Sequence, residues 1–297
     1  GPADSVFWFR QAAPYIHAFR GKTIVILLSG ETLAAIAPAQ IIQDIALLNS
    51  LGLRVVVVSG ARPQIDERLR KAGLALRFHR GMRITDEATL GCVTEAVGRI
   101  RTELEAKLSL GLVNSPMHGA GIRVCSGNFI VARPVGVVDG VDLGYTGLVR
   151  RVHAEDINRH LHMGQIVLIP TLGYSTTGEV FNLSCEDVAC SVAIALESEK
   201  LAMFSADPGI ILPDGRLVRE LSLDDALALI EKTEPDSEAS RRLFAACRAI
   251  QQGVKRAHIL SYREDGQLLQ ELFTRDGCGT LISDNDYDQV RRATPAD

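Results

Sequence analysis

The chain has 297 residues, 46% of them apolar and 23% charged, with a formal net charge of −4. That length buries a sizeable core, as one large domain or two small ones. The slightly acidic balance excludes a nucleic-acid footprint, and no apolar run approaches the ~20 residues of a membrane-spanning helix.

The first twenty residues form an aromatic arm. Phe7, Trp8, Phe9, Tyr15 and Phe19 are a third of the fifteen aromatics and precede the first core strand. Pro14 inside the arm predicts a kinked or broken helix. Such a segment needs a surface to cover, its own domain or a neighbouring subunit. The opening Gly1-Pro2, in place of Met, reads as a protease-cleavage remnant. Short, continuously apolar runs follow at 23–28, 54–59, 165–170, 200–205 and 257–262, as in strands buried on both faces. Helical patterns at 35–51, 62–72, 184–198, 222–232 and 238–252 alternate with them. This predicts an α/β fold, with a mostly parallel sheet covered by helices on both sides. Gly-punctuated alternation over 121–152 and at 214–218 predicts hairpins.

From Thr85 to Leu110 the stripe Leu90, Val93, Val97, Ile100, Leu104 and Leu108 predicts a long helix, buried in the core or facing a second subunit. The six cysteines (92, 125, 185, 190, 247 and 278) form no CxxC pair, so zinc and redox centres are not indicated. Cys185 and Cys190 read as buried thiols, and a reducing cytoplasm is the expected setting.

Three loops carry the chemistry. LLSGE (27–31) and VSGARPQID (58–66) each follow a strand, and their small residues let backbone amides approach a ligand or merely end a strand. In EVFNLSCEDVA (179–189), Ser184 and Asp187 form a capping box that opens a helix, with Asn182 just before it.

Taken in order, these segments, with HRGMRITD (79–86), FSADPGI (204–210) and ELFTRDGCGTLI (271–282), resemble the amino acid kinase family. They are most similar to the N-acetylglutamate kinases and the kinase-like domains of N-acetylglutamate synthases. The resemblance implies an open three-layer αβα sandwich over 21–284, an arm at 1–20, and a linker at 285–297 leading toward an acetyltransferase domain. Measured against the family's kinases, Leu27 stands where a strand lysine is required. Ser29-Gly30 replaces a Gly pair, and Ala61 follows Gly60 in the second loop. The organising Asp falls at Glu186, another Asp at Ala206, and a second Lys at Arg242. Arg83 and Asn182 match contacts to an acylated amino-acid substrate. Phosphoryl transfer depends on positioning and on neutralising developing charge, so a chain lacking the strand lysine reads as a vestigial phosphate pocket short of cations.

In arginine-inhibited members the effector lies between the N-terminal helix and the C-terminal part of the domain. By that match Tyr15, Lys200, Ser261, Glu271, Gly277, Gly279 and Thr280 would hold L-arginine. A carboxylate such as Glu271 suits a guanidinium, and Lys200 an effector carboxylate; the same residues could instead be a solvated strand end and an exposed helix face. His258 reads as a satisfied structural histidine. The resemblance thus implies a regulatory domain without catalytic or metal-binding residues. Its parent would acetylate glutamate with acetyl-CoA, and homo-oligomers would form through the arm and the 85–110 helix. The alternatives are an active acylated-amino-acid kinase using ATP, with Arg242 and Lys22 as its cations, and a purely structural oligomerisation module.

Overall fold

The apolar runs of the sequence become neighbours in one sheet. In the computed structural model, which describes residues 1–35, 38–110 and 121–284, the chain enters through α1 (Pro2–Phe19) and β1 (Thr23–Leu28). It continues through α2 (Gly30–Ala34), α3 (Pro38–Ser50), β2 (Arg54–Ser59) and α4 (Arg62–Lys71). A hairpin of β3 (Phe78–His79) and β4 (Met82–Arg83) precedes the long α5 (Glu87–Leu110). Next come β5 (Val124–Cys125), β6 (Ile130–Pro134), β7 (Val137–Val138), β8 (Val141–Asp142) and β9 (Gly147–Val152). They are followed by α6 (Ala154–His162), β10 (Ile166–Pro170), β11 (Leu172–Tyr174), β12 (Val180–Asn182) and α7 (Cys185–Ala195). The last part holds β13 (Lys200–Ser205), β14 (Ile210–Ile211), β15 (Leu217–Val218), β16 (Glu220–Ser222) and α8 (Leu223–Lys232). It closes with α9 (Glu238–Gln251), β17 (Arg256–Ser261), α10 (Gln267–Phe273) and β18 (Thr280–Ser283). The expected linker at 285–297 lies outside the described residues.

Among the described residues the central sheet has eight strands in the order β16-β18-β17-β13-β1-β2-β10-β5. Its pairings are parallel except β17 with β18. Alternate side chains of the strands divide between two cores. Val25, Leu27, Val56, Val58, Leu201 and Met203 pack with α6, α7, α8 and α9. Ile24, Ile26, Val55, Val57, Ala202 and Phe204 pack with α1, α3, α4, α5 and α10. The result is the three-layer αβα sandwich expected from the sequence. A second sheet, β12-β11-β6-β9, is attached to the first of these cores, and the expected hairpins are present in it and in the β7–β8 and β14–β15 pairs.

Two expectations about helices change. α1 runs unbroken through Pro14, although proline leaves the Arg10 carbonyl without its helical donor. Ala12 and Phe19, on either side of the proline, are buried against the domain and hold the segment. The α5 stripe from Val93 to Leu108 is used inside the monomer, so only the other faces of α5 remain for a second subunit. By contrast Val6, Phe7, Trp8 and Phe9 of α1 are exposed.

Candidate functional sites

The first site lies on the α1/α10 side of the sheet. Lys200 is the first residue of β13 and His258 the third of β17, and both are almost fully buried. Lys200 Nζ is 3.2 Å from His258 Nε2 and 4.6 Å from the centre of the Phe19 ring. His258 Nδ1 is 2.9 Å from Glu271 Oε1, and Glu271 Oε2 accepts from the amides of Cys278 (2.7 Å) and Gly279 (2.9 Å). An ammonium only donates and a carboxylate only accepts, so the neutral tautomer with Nδ1–H satisfies both neighbours. Burial alone would raise the Glu271 pKa, but the His258 bond, its charge and the two amides bring it down to about 2. Burial and the Lys200 charge push His258 down to about 4, so the array at neutral pH is an ammonium, a neutral imidazole and a carboxylate.

Small residues close this array. A Cβ on Gly277, whose φ is +64°, would lie 2.6 Å from Glu271 Oε2, and one on Gly279 would collide with the Ile259 carbonyl. Tyr15 joins through Phe19, their ring centres 6.4 Å apart. Thus Tyr15, Lys200, Glu271, Gly277 and Gly279 are linked by a continuous series of contacts. Neither a solvated strand end nor an exposed helix face describes Lys200 or Glu271. Ser261 and Thr280 are buried nearby in the strands, with hydroxyls engaged by the Arg263 amide and by Ile210 and Val218. Two links, Phe19 and His258, carry no signal in the sequence beyond their positions in the arm and in an apolar strand.

An imidazole with a native pKa of about 4 and an ordinary value of 6.5 takes its proton preferentially in the unfolded chain. Its contribution is therefore complete above pH 6.5 and is lost as pH falls toward 4, by roughly 3 kcal/mol. Urea melts of the parent and of His258→Gln across that interval should give a flatter pH dependence for the variant. Parallel curves would show that His258 does not set the slope.

The second site is a cavity of about 710 Å³ on the opposite face, at the C-terminal ends of β1 and β2 and the N-terminal end of α7. Gly30, Ala61, Arg83, Asn182 and Glu186 line it, whereas Ser29 and Gly60 do not. Ser29 caps α2 by accepting from the Thr32 amide, and a Cβ on Gly60 would sit 3.0 Å from the Gly30 nitrogen. A Cβ on Gly30 would lie 2.6 Å from Pro63 and Gln64. The two Gly loops are therefore packed on each other.

Arg83 pairs with Asp66 at 2.6 Å, and Asn182 Nδ2 donates to Thr85 Oγ1 at 3.2 Å. Glu186 binds Arg242 at 2.5 Å and Arg241 at 3.0 Å. Burial would raise the Glu186 pKa, but these two guanidiniums hold it at about 2. Leu27 is buried within the core shared by α7 and α9. The expectation of a pocket short of cations is corrected, because among the described residues seven arginines line the cavity against four carboxylates. They come from α4, α9, the β3–β4 hairpin and β6, none of which is the strand that lacks the lysine. The Arg241-Arg242 doublet was visible in the sequence but too short to stand out as a basic patch. Lys22 is exposed before β1, about 20 Å by strand rise from the loop at its far end, so it is no substitute for a residue at position 27.

The profile of the amino acid kinase family matches residues 22–261. An amino-acid acetyltransferase of Pseudomonas putida strain KT2440 is 50% identical over 294 residues, 99% of this chain and 68% of that protein. The chain belongs to the amino acid kinase family, in the group formed by such acetyltransferases. Two solved structures of N-acetylglutamate synthase from Neisseria gonorrhoeae are similar to this family member over 94% of its length. One, complexed with coenzyme A and L-arginine, is 40% identical with a TM-score of 0.88; the other, with coenzyme A and N-acetylglutamate, is 39% identical with a TM-score of 0.87. The chain spans 65% and 63% of those two proteins, so a third of their length has no counterpart in it. Among the described residues no helix is long and apolar enough to cross a membrane.

Proposed function

We propose that the chain is the arginine-sensing, kinase-like regulatory domain of an N-acetylglutamate synthase. The parent protein would acetylate L-glutamate with acetyl-CoA, the first step of arginine biosynthesis, under feedback inhibition by arginine. Acetyl transfer is assigned to the part of its relatives that this chain does not span. The observation that carries the reading is the buried Lys200–His258–Glu271 array beneath Phe19. Its charges complement a zwitterionic amino acid with a cationic tail. Glu271 supplies the counter-charge for a guanidinium, with Oε1 still able to accept beside its bond to His258, Lys200 neutralises the α-carboxylate, and loop carbonyls near Gly279 accept from the α-amino group. A relative solved in complex with L-arginine supports arginine as the effector.

The cavity on the other face is assigned no phosphoryl transfer. Leu27 contributes no charge to it, Ala206 carries no carboxylate, and the Gly loops are closed on each other. The exposed apolar end of α1 supports a homo-oligomer in which a second copy covers Val6, Phe7 and Phe9.

Thermal unfolding with L-arginine tests the proposal, with lysine, ornithine and N-acetylglutamate as controls. At 100 times its dissociation constant arginine stabilises the native state by about 2.7 kcal/mol, a rise in Tm of roughly 5 °C. A rise with N-acetylglutamate instead, or phosphorylation of N-acetylglutamate from Mg²⁺-ATP, would return the chain to the kinases.

A further inference from the structure

The alternation of β9 is broken at one residue. Val131 of β6 pairs with Arg151 and Ala132 with Val149, so Arg150 has no partner across the ribbon and forms a bulge. In a regular strand Val149 and Val152 would face opposite sides. Both instead pack against the same core, and the two arginines between them are exposed. The bulge thus turns the consecutive residues Arg150 and Arg151 onto one face, which an unbroken strand does not allow. Register carries that face across the second sheet. Arg151 lies opposite Val131 of β6, and Val131 beside Tyr174 of β11.

These residues line a concavity of about 370 Å³ that shares no residue with the cavity at the Gly loops. Asn128, Thr176 and His153, the N-cap of α6, also line it. Among the described residues Arg150 and Arg151 form no ion pair, and no carboxylate lines the hollow. Glu179 is close in the chain but is held by the Thr177 hydroxyl at 2.9 Å. The His153 side chain makes no capping bond to α6. Two guanidiniums held on one face repel each other unless an anion lies between them.

We propose that this concavity binds the phosphate group of a small phosphorylated molecule, clamped by Arg150 and Arg151 with His153 as a further donor. A phosphate has three terminal oxygens, enough for two guanidinium forks and a third N–H, whereas a carboxylate has two. Val131 and the Tyr174 ring form an apolar floor beside the arginines, so the organic part of the ligand is accommodated with its phosphate.

Isothermal titration at about pH 8, where a phosphate monoester is close to doubly charged, tests this with phenyl phosphate, inorganic phosphate and benzoate at matched ionic strength. At least one phosphate is expected to bind tenfold or more tightly than benzoate. Which phosphate binds better distinguishes a phosphorylated organic ligand from free phosphate. Arg150→Gln and Arg151→Gln should each weaken that binding about tenfold. Both side chains are exposed, so neither variant should shift Tm. Arg10→Gln, which removes the same charge from α1, should leave the binding unchanged. Phosphates that bind no better than benzoate, or a loss no greater in the two β9 variants than in Arg10→Gln, would overturn the proposal. Phosphate binding that persists in both β9 variants would do the same, because it would belong to the cavity at the Gly loops.

Discussion

Replacing Arg242 by methionine is expected to lower folding stability by about 3–5 kcal/mol, the range for removing one partner of a buried ion pair. Arg242 is 1% exposed, holds Glu186 through Nη1 and the Phe204 carbonyl through Nη2, and reaches Glu238 at 3.8 Å. Without it Glu186 stays ionised in a poorly solvated place with only Arg241 opposite, which moves the loss toward the lower end of that range. The double variant Glu186→Gln/Arg242→Met should recover much of the loss, because it removes the charge left stranded. Urea unfolding of both variants at pH 7 measures this. A single variant within 1 kcal/mol of the parent would mean that the pair contributes little to stability.

Glu271→Gln should weaken L-arginine binding at least a hundredfold, about 3 kcal/mol. The amide removes the negative charge opposite the guanidinium and replaces one accepting oxygen with a donor. It also turns an N–H toward the Nδ1–H of His258 or toward the amides of Cys278 and Gly279, so some folding stability is lost as well. Calorimetric titration at a temperature where circular dichroism shows the variant folded separates the two effects. An unchanged affinity would remove Glu271 from the effector site.

What was legible in the sequence follows from local chemistry. β1, β2 and β13 occupy the expected residues because their four or five consecutive apolar side chains can be satisfied only between two layers. The Ser184 cap of α7 was equally plain. Lys200 and Glu271 came from a family resemblance, and their meeting depends on β13 and α10 being brought together across β17, a distance of seventy-one positions that no periodicity encodes. His258 shows the limit most directly. In an apolar strand it reads as structural, which is true of its hydrogen bonds, and only the register of β17 against β13 reveals it as the bridge between the two charges. The cavity was misjudged for a related reason. Attention to position 27 asked whether one lysine was present, while the charge is assembled from side chains on four other elements. Arg62 and Arg83 are brought together over Phe78 by a two-residue hairpin that has too few residues to announce itself. Asp66, the partner that fixes Arg83, carried no distinguishing signal within α4.

The six residues of β13 connect the two sites. Its first residue, Lys200, belongs to the array beneath α1, and the carbonyl of its fifth, Phe204, receives Arg242 on the opposite face. The strand is paired with β17 over all six residues and with β1 over the first four, which makes it a stiff bar through the middle of the molecule rather than a flexible tether. The backbone at Lys200 and the carbonyl that anchors Arg242 thus lie four residues apart on one hydrogen-bonded strand.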